Sequence, residues 1–269
     1  MAQHQENKPC LPVANVICIK WGKGYYTADD VNRLYAMVKR NISGHRLHFY
    51  CFTEIAEGLD DGIIVKPLPQ LNVRPEDNKY AYRKEAALCD DNLGGLKGRR
   101  VLFFDLDVVI TGSLDEMVDY PQGDEFVIIK DWNSWGSRVG QASCYSWKVG
   151  TLGFIKDYFE AHPEEVIKQF GTASQEYLSS KVIEKQGHLK FWPKQWCRSF
   201  KVHALPVWFL RRFVTAKLPK GTKVLCFHGR PKMDDAIAGR WAPPGVEPKW
   251  KTILYKTIKP SPWLGQYWI

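Results

Sequence analysis

Arg99 to Ser113 reads RRVLFFDLDVVITGS, an apolar run that ends in two carboxylates, Asp105 and Asp107, set two residues apart. The apolar part has the composition of a buried strand. Like charges repel, however, and removing either carboxylate from water costs several kcal/mol unless something positive compensates. A divalent cation would supply that compensation, so the pair marks a candidate metal site at a strand end.

Working outward from this stretch, VANVICIK (13–20) reads as a buried strand. TADDVNRLYAMVKRNI (27–42) reads as a helix, with Thr27 as N-cap, Asp29 and Asp30 in its first turn, and Val31, Leu34, Tyr35 and Val38 at helical spacing. RLHFYCFTE (46–54) and DGIIVKPLP (61–69) are strands, and YAYRKEAALCDDN (80–92) surrounds a helix. Beyond the carboxylates come a helix SLDEMVDY, a strand EFVIIKDW and an apolar-polar alternation in SCYSWKVG. Helices around GFIKDYFEAH and SQEYLSSKVIEKQG follow, then a strand TKVLCFHGR; from Arg230 onward Pro and Gly are frequent and periodicity is lost. Strands alternating with helices predict an α/β, Rossmann-like, doubly wound and mostly parallel sheet with helices on both faces. Ligands bind such sheets beyond the carboxyl ends of the strands, where Lys20, Trp21 and Asp105 all fall.

The 269 residues, 45% hydrophobic and 13% aromatic, suffice for a real core. There is no internal repeat or low-complexity linker, so one domain over residues 1–248 followed by a poorly regular basic tail, 249–269, is expected. No uncharged apolar stretch approaches the roughly 18 residues of a membrane span, and MAQHQENKPCLP lacks the basic and apolar regions of a secretory signal. A cytoplasmic location is the expectation. Seven scattered cysteines without a CxxC pair argue against a disulfide framework or a zinc knuckle, and most are expected in the core.

Charge is distributed unevenly. Residues 201–269 hold 13 Lys and Arg against three acids, so the whole net charge of +9 resides in the last quarter. That asymmetry points to an anionic partner: a nucleotide phosphate, a phosphorylated lipid, a membrane surface or nucleic acid. The tail KWKTILYKTIKPSPWLGQYWI interleaves Lys249, Lys251, Lys256 and Lys259 with Trp250, Tyr255, Trp263, Tyr267 and Trp268. Such a segment either docks peripherally on an anionic membrane, at its inner face for a cytoplasmic chain, or packs its aromatics on the domain with the lysines in water.

A second strand, VLCFHGRPK, ends in His228, followed by Gly229, Arg230 and Lys232. With the two carboxylates, His228 would complete a site of oxygen and nitrogen donors, which suits manganese better than calcium, with cations nearby for phosphate.

The segments WGKGYYTADDVNRLY, YCFTE, RKEAAL, LFFDLDVVITGSLDE, SQEYL and FHGRPK, in this order, resemble the GT-A glycosyltransferases, specifically the family 8-like retaining enzymes and their bacterial relatives. The resemblance runs from about Val13 to Lys232. It implies a GT-A fold and transfer of a sugar from a nucleotide-sugar donor, usually a UDP-sugar, with manganese, or magnesium in its place, bridging the two phosphates. It further implies Asp105, Asp107 and His228 as metal ligands, with Gly229 and Lys232 at the diphosphate. Lys84 would be a donor-contacting cation, Trp21 and Tyr25 would lie near the base, and Gln175 near the sugar. Asp131, at the end of the strand EFVIIKDW, is then a candidate for binding sugar or acceptor hydroxyls. Two departures, Ser174 where the family often has Asp and VGQASC in place of an Asn-rich segment, leave sugar and acceptor open, a lipid-linked or cell-surface glycan among the choices.

Two other readings compete. FFDLDVVI also fits a haloacid-dehalogenase-like phosphohydrolase, with Asp105 as nucleophile, Asp107 as acid and KMDDA supplying a later lysine and paired aspartates. A basic nucleic-acid-binding module would use the tail aromatics to stack bases, leaving the carboxylate pair without a role.

Overall fold

A computed structural model describes residues 11–22, 24–78, 82–132, 138–246 and 256–269. The strands are β1 (Val13–Ile19), β2 (Arg46–Phe52), β3 (Ile63–Lys66), β4 (Arg100–Phe104), β5 (Val108–Ile110), β6 (Val127–Lys130), β7 (Gly140–Lys148), β8 (Lys190–Phe191), β9 (Cys197–Ser199) and β10 (Val224–Cys226). The α-helices are α1 (Ala28–Arg40), α2 (Tyr82–Glu85), α3 (Asp115–Asp119), α4 (Gly153–Ala161), α5 (Pro163–Phe170), α6 (Ser174–Gln186) and α7 (Met233–Ala238).

Seven strands form the main sheet in the order β3-β2-β1-β4-β7-β6-β8, parallel except for β7, which runs against both of its neighbours. Alternation along β1 explains why it is covered on both faces. Ala14, Val16 and Cys18 enter the core cluster beneath α1, whereas Ile17 and Ile19 enter the cluster packed by α4 and α6. β4 divides the same way, Leu102 and Phe104 against Val101 and Phe103. Strand order reverses at β1, which has β2 on one side and β4 on the other, so a crevice opens between the carboxyl ends of β1 and β4. The architecture is the expected mixed α/β, doubly wound and mostly parallel sheet.

A second sheet, β5-β10-β9, has as its central strand β10, which lies within the expected strand TKVLCFHGR. Its outer strands β5 and β9 are absent from the sequence reading, being three residues each and too short for a periodic signal. α5 is also missed, because Pro163 reads as a stop after α4; instead it occupies the first turn of a new helix together with Glu164 and Glu165. α7 lies in the region read as aperiodic, and α2 is a four-residue helix followed by a 3₁₀ turn, Ala87–Cys89. Asp90 draws the chain out of that helix by accepting from the Asn92 and Leu93 amides at 3.0 and 2.9 Å. β7 is buried along nearly all its length because it is interior to the sheet, so its serines do not mark a wet face. α1 begins as expected, the Thr27 amide donating to Asp30 at 2.8 Å. All six described cysteines are buried and free, and Cys10 lies outside the described residues. Among the described residues no helix is long and apolar enough to cross a membrane.

The described part of the tail, residues 256–269, is built into the domain. Ile258, Leu264 and Trp268 are buried in the same cluster as α1, and Arg33 lies over the Trp268 ring at 5.4 Å. The Arg40 guanidinium donates to the carbonyls of Tyr267 and Ile269 at 2.9 and 3.0 Å, and the Trp263 indole donates to Ala216 O at 2.8 Å. Trp263, Tyr267 and Trp268 therefore face protein, the second of the two arrangements the sequence allows, because a ring that finds an apolar surface on its own domain is withdrawn from solvent there. Lys249, Trp250, Lys251 and Tyr255 lie outside the described residues.

Two stability predictions follow from these contacts. A chain ending at Tyr255 loses three buried apolar side chains, worth about 1.5–3 kcal/mol each, and should unfold at a clearly lower temperature; an unchanged melting temperature would show the segment to be dispensable. Asp115 accepts from the Ser43 and Gly44 amides at 3.2 and 3.0 Å and from the His45 ring at 3.0 Å. Partial burial pushes its pKa up, but these donors, His45 foremost, hold it at about 2. A carboxyl depressed in this way stabilises the fold above its ordinary pKa and loses that contribution as pH falls through its folded value. Asp115→Asn should thus cost about 1–3 kcal/mol at neutral pH, and the gap to wild type in urea melts should narrow between roughly pH 4 and pH 2.

Candidate active site

The crevice between β1 and β4 holds the carboxylate pair. Asp105 follows the last residue of β4, its amide donating to Ser143 O on β7 at 2.9 Å. Leu106 turns inward to the core, which presents Asp105 and Asp107 on the same side of the chain. Asp107 then leads into β5, and its carbonyl accepts from the Phe227 amide at 2.9 Å. This single bond sets the residue before His228 against the second carboxylate, joining two motifs that are remote in sequence.

The positive charge demanded by the pair comes from two lysines. Lys84 Nζ, from α2, lies 3.0 and 3.3 Å from the Asp105 oxygens, 3.0 Å from Glu85 Oε1 and 3.4 Å from Ala142 O. Lys232 Nζ lies 2.6 Å from Asp107 and donates to the Tyr26 hydroxyl at 3.2 Å. Burial would lower the Lys84 pKa, but the adjacent Asp105 and Glu85 carboxylates raise it well above the ordinary lysine value. Asp105 is pushed up to about 6, first by burial, with Asp107 adding to the shift and Lys84 opposing it. A cleft of about 220 Å³ opens over these groups, lined by Ile19, Trp21, Tyr26, Lys84, Asp105 and Asp107.

His228 sits one residue beyond the Phe227 bond. Its Nε2 meets the Ser199 hydroxyl at 2.8 Å, and its ring stacks on Trp132, centroids 5.5 Å apart and planes 25° from parallel. Burial, then the nearby Lys201, lowers its pKa to about 4, so the imidazole is neutral at pH 7. Gly229 has φ +72°, a left-handed conformation that turns the chain from His228 toward Lys232.

Trp132 also meets His203 edge to face and forms a wall of a larger cleft of about 670 Å³. Asp131, Trp132, Phe191, Trp192, Lys194 and Arg198 line it. Asp131 thus opens on this second cleft rather than on the carboxylates, although its charge reaches His228. Gln175, in the first turn of α6, touches the site at one remove: its Oε1 accepts from the Ala142 amide at 3.4 Å, and the carbonyl of Ala142 accepts from Lys84. Ser174 donates to Glu85 at 2.9 Å.

Lys84, Asp105, Asp107 and Lys232 therefore come together, with Trp21 on the cleft wall and Tyr25 at its outer edge, 69% exposed and 5.9 Å from Lys232 Nζ. Sequence reasoning missed Tyr26, Glu85, Ser199, Lys201 and Trp132. Tyr26 and Glu85 directly follow chosen residues and were open to inspection, whereas Ser199 belongs to β9, which had no periodic signal. Two carboxylates and a neutral imidazole are a donor set suited to manganese or magnesium. In the arrangement described, each carboxylate is held by a lysine and His228 by Ser199, and among the described residues no three carboxylate, imidazole or thiol groups converge on one point.

The rival phosphohydrolase reading loses its second pair of aspartates. Asp235 is buried in α7 with its carboxylate on Arg240 at 2.8 Å and Arg230 at 3.5 Å, and Asp234 beside it is exposed. The nucleic-acid reading loses three of its five stacking aromatics, which pack on the domain.

No family model matches the chain, and no curated protein matches its sequence. Among solved structures, galactosyltransferase LgtC in complex with donor and acceptor sugar analogues superimposes with a TM-score of 0.55 over 81% of this chain and 88% of that one, at 13% identity. At that identity the likeness concerns the fold, and this chain has a glycosyltransferase-like fold of the GT-A type.

Proposed function

We propose that the chain is a glycosyltransferase that binds a nucleotide-sugar donor, a UDP-sugar, over Asp105, Asp107 and Lys232 and passes the sugar to a glycan acceptor in the adjoining aromatic cleft. The observation that carries this reading is the pairing of two carboxylates with two ammoniums at the strand switch point, beside a second cleft of about 670 Å³. LgtC, similar in fold, was captured with donor and acceptor sugar analogues. Trp21 and Tyr26, with Tyr25 outside them, flank the smaller cleft and suit a base. Asp131 and the aromatic walls of the larger cleft suit the hydroxyls and apolar faces of a sugar.

Breaking the sugar–phosphate bond builds negative charge on the departing diphosphate and oxocarbenium character on the ring. A manganese or magnesium ion held by Asp105, Asp107 and His228 would neutralise part of the phosphate charge. Lys232 moves from Asp107 to a phosphate oxygen, exchanging one charge-assisted bond for another at little cost. Lys84 stays with Asp105 and Glu85 and keeps Asp105 ionised despite its burial. Gln175, whose Nε2 has no partner among the described residues, offers a donor to a sugar hydroxyl. A retaining outcome is the form proposed, in line with the motif resemblance.

Two measurements test this. UDP binding followed by calorimetry should require manganese or magnesium, and Asp107→Asn should remove that requirement's benefit while lowering donor hydrolysis by about 100-fold or more, the scale for loss of one electrostatic contact to developing charge. Full activity in excess chelator would refute the metal. Lys232→Ala should weaken UDP by roughly 10- to 100-fold, the scale of a charged hydrogen bond, and leave uridine affinity unchanged; equal losses for both would place Lys232 outside the phosphate site.

A further inference from the structure

Residues 205–216 form a closed surface loop whose two ends are tied by the Lys217 amide donating to Ala204 O at 3.0 Å. The tip is ordered by its own bonds: Phe213 and Val214 both donate to Leu210 O, at 2.9 and 2.8 Å, and Arg211 Nε donates to Pro206 O at 3.1 Å. On this tip Val207, Trp208, Phe209, Leu210, Phe213 and Val214 are all exposed, Trp208 by 53%, Phe209 by 56% and Phe213 by 72%. Water-facing apolar side chains are ordinary when scattered, but six on eight consecutive residues mark an interaction surface.

The charge around the loop selects its partner. From Lys185 to Met233 the chain has no Asp or Glu and twelve Lys and Arg. Arg212, Lys217 and Lys220 are exposed at the loop and its neck, and none has a carboxylate partner among the described residues. Trp and Phe beside Arg and Lys is the composition that favours the headgroup level of a bilayer with anionic lipid, aromatic rings below and cations at the phosphates. A protein interface of standard size engages about 20–30 residues a side, far more than this tip offers.

We propose that the loop 205–216 is a membrane-docking element that inserts its apolar tip into the headgroup region of an anionic bilayer, with Arg212, Lys217 and Lys220 on the lipid phosphates. The neck of the loop begins at Ala204, the end of the helical turn Phe200–Ala204, whose Lys201 Nζ lies 3.4 Å from where a side-chain carbon on Gly229 would stand. The loop thus shares its neck segment with a residue that borders the turn after His228. The docking role falls to the loop rather than to the carboxyl-terminal tail, whose described aromatics are committed to the core.

The test is flotation of the full chain with vesicles of phosphatidylcholine alone and of phosphatidylcholine with phosphatidylglycerol. The wild-type chain should partition at least about tenfold more to the anionic vesicles and release at high salt. Trp208→Ser combined with Phe209→Ser and Phe213→Ser should abolish binding, and Arg212→Gln with Lys217→Gln and Lys220→Gln should remove the preference for anionic lipid. Circular dichroism melts check that both variants fold. Equal binding of wild type to both vesicles, unchanged binding of the triple serine variant, or a dimer that this variant dissociates in the absence of vesicles would each overturn the proposal.

Discussion

Two carboxylates at the mouth of a sheet crevice stay ionised only if positive charge reaches them, and the rest of the site is arranged around that requirement. Lys84 arrives from one face of the sheet on a helix that lasts barely one turn, and Lys232 arrives from the other on the turn before α7. Neither lysine is interchangeable with the other. Lys84 is held by Asp105, Glu85 and a carbonyl, whereas Lys232 is held by one carboxylate, Asp107, with a tyrosine hydroxyl and the Tyr25 and Tyr26 rings beside it. The first is a fixed countercharge and the second a displaceable one. The proposed nucleotide-sugar donor would call on both kinds, because a fully fixed set would leave no hydrogen-bond donor to meet its phosphates.

Position follows from the sheet. β1 and β4 are neighbours in space with their crossovers leading in opposite directions, so a crevice opens at their carboxyl ends. The small sheet β5-β10-β9 then closes one side of it, and the carbonyl of Asp107 accepting from Phe227 fixes how far His228 stands from the carboxylates.

Much of this was legible in the chain because long strands and amphipathic helices write a strong period. β1, α1, β2 and β4 fall where apolar spacing puts them, and the carboxylate pair is visible because it interrupts such a run. What escaped notice was short or depended on partners remote in sequence. β9 and β5 have three residues each, and α5 begins with a proline that reads equally well as a stop. The compensation of charge was foreseen as a need, but the lysines that meet it were assigned to the donor alone, since the 21 residues from Lys84 to Asp105 and the 125 from Asp107 to Lys232 carry no local signal of their pairing. The tail offered two arrangements of identical composition, and only the cavity left by the domain for Leu264 and Trp268 decides between them.

The separation between Asp107 and Lys232 also orders events in time. Closing so long a segment is entropically slow compared with pairing β1 to β2, so the main sheet forms while Asp107 still has water for a partner. The three-residue strands that bring Lys232 into place have few hydrogen bonds to lose, and regions of that kind open locally at a fraction of the global unfolding free energy. In hydrogen exchange the amides of Leu225 and Phe227 would accordingly exchange ahead of those in β1 and β4, and each such opening disarms the site while the seven-stranded sheet stays whole.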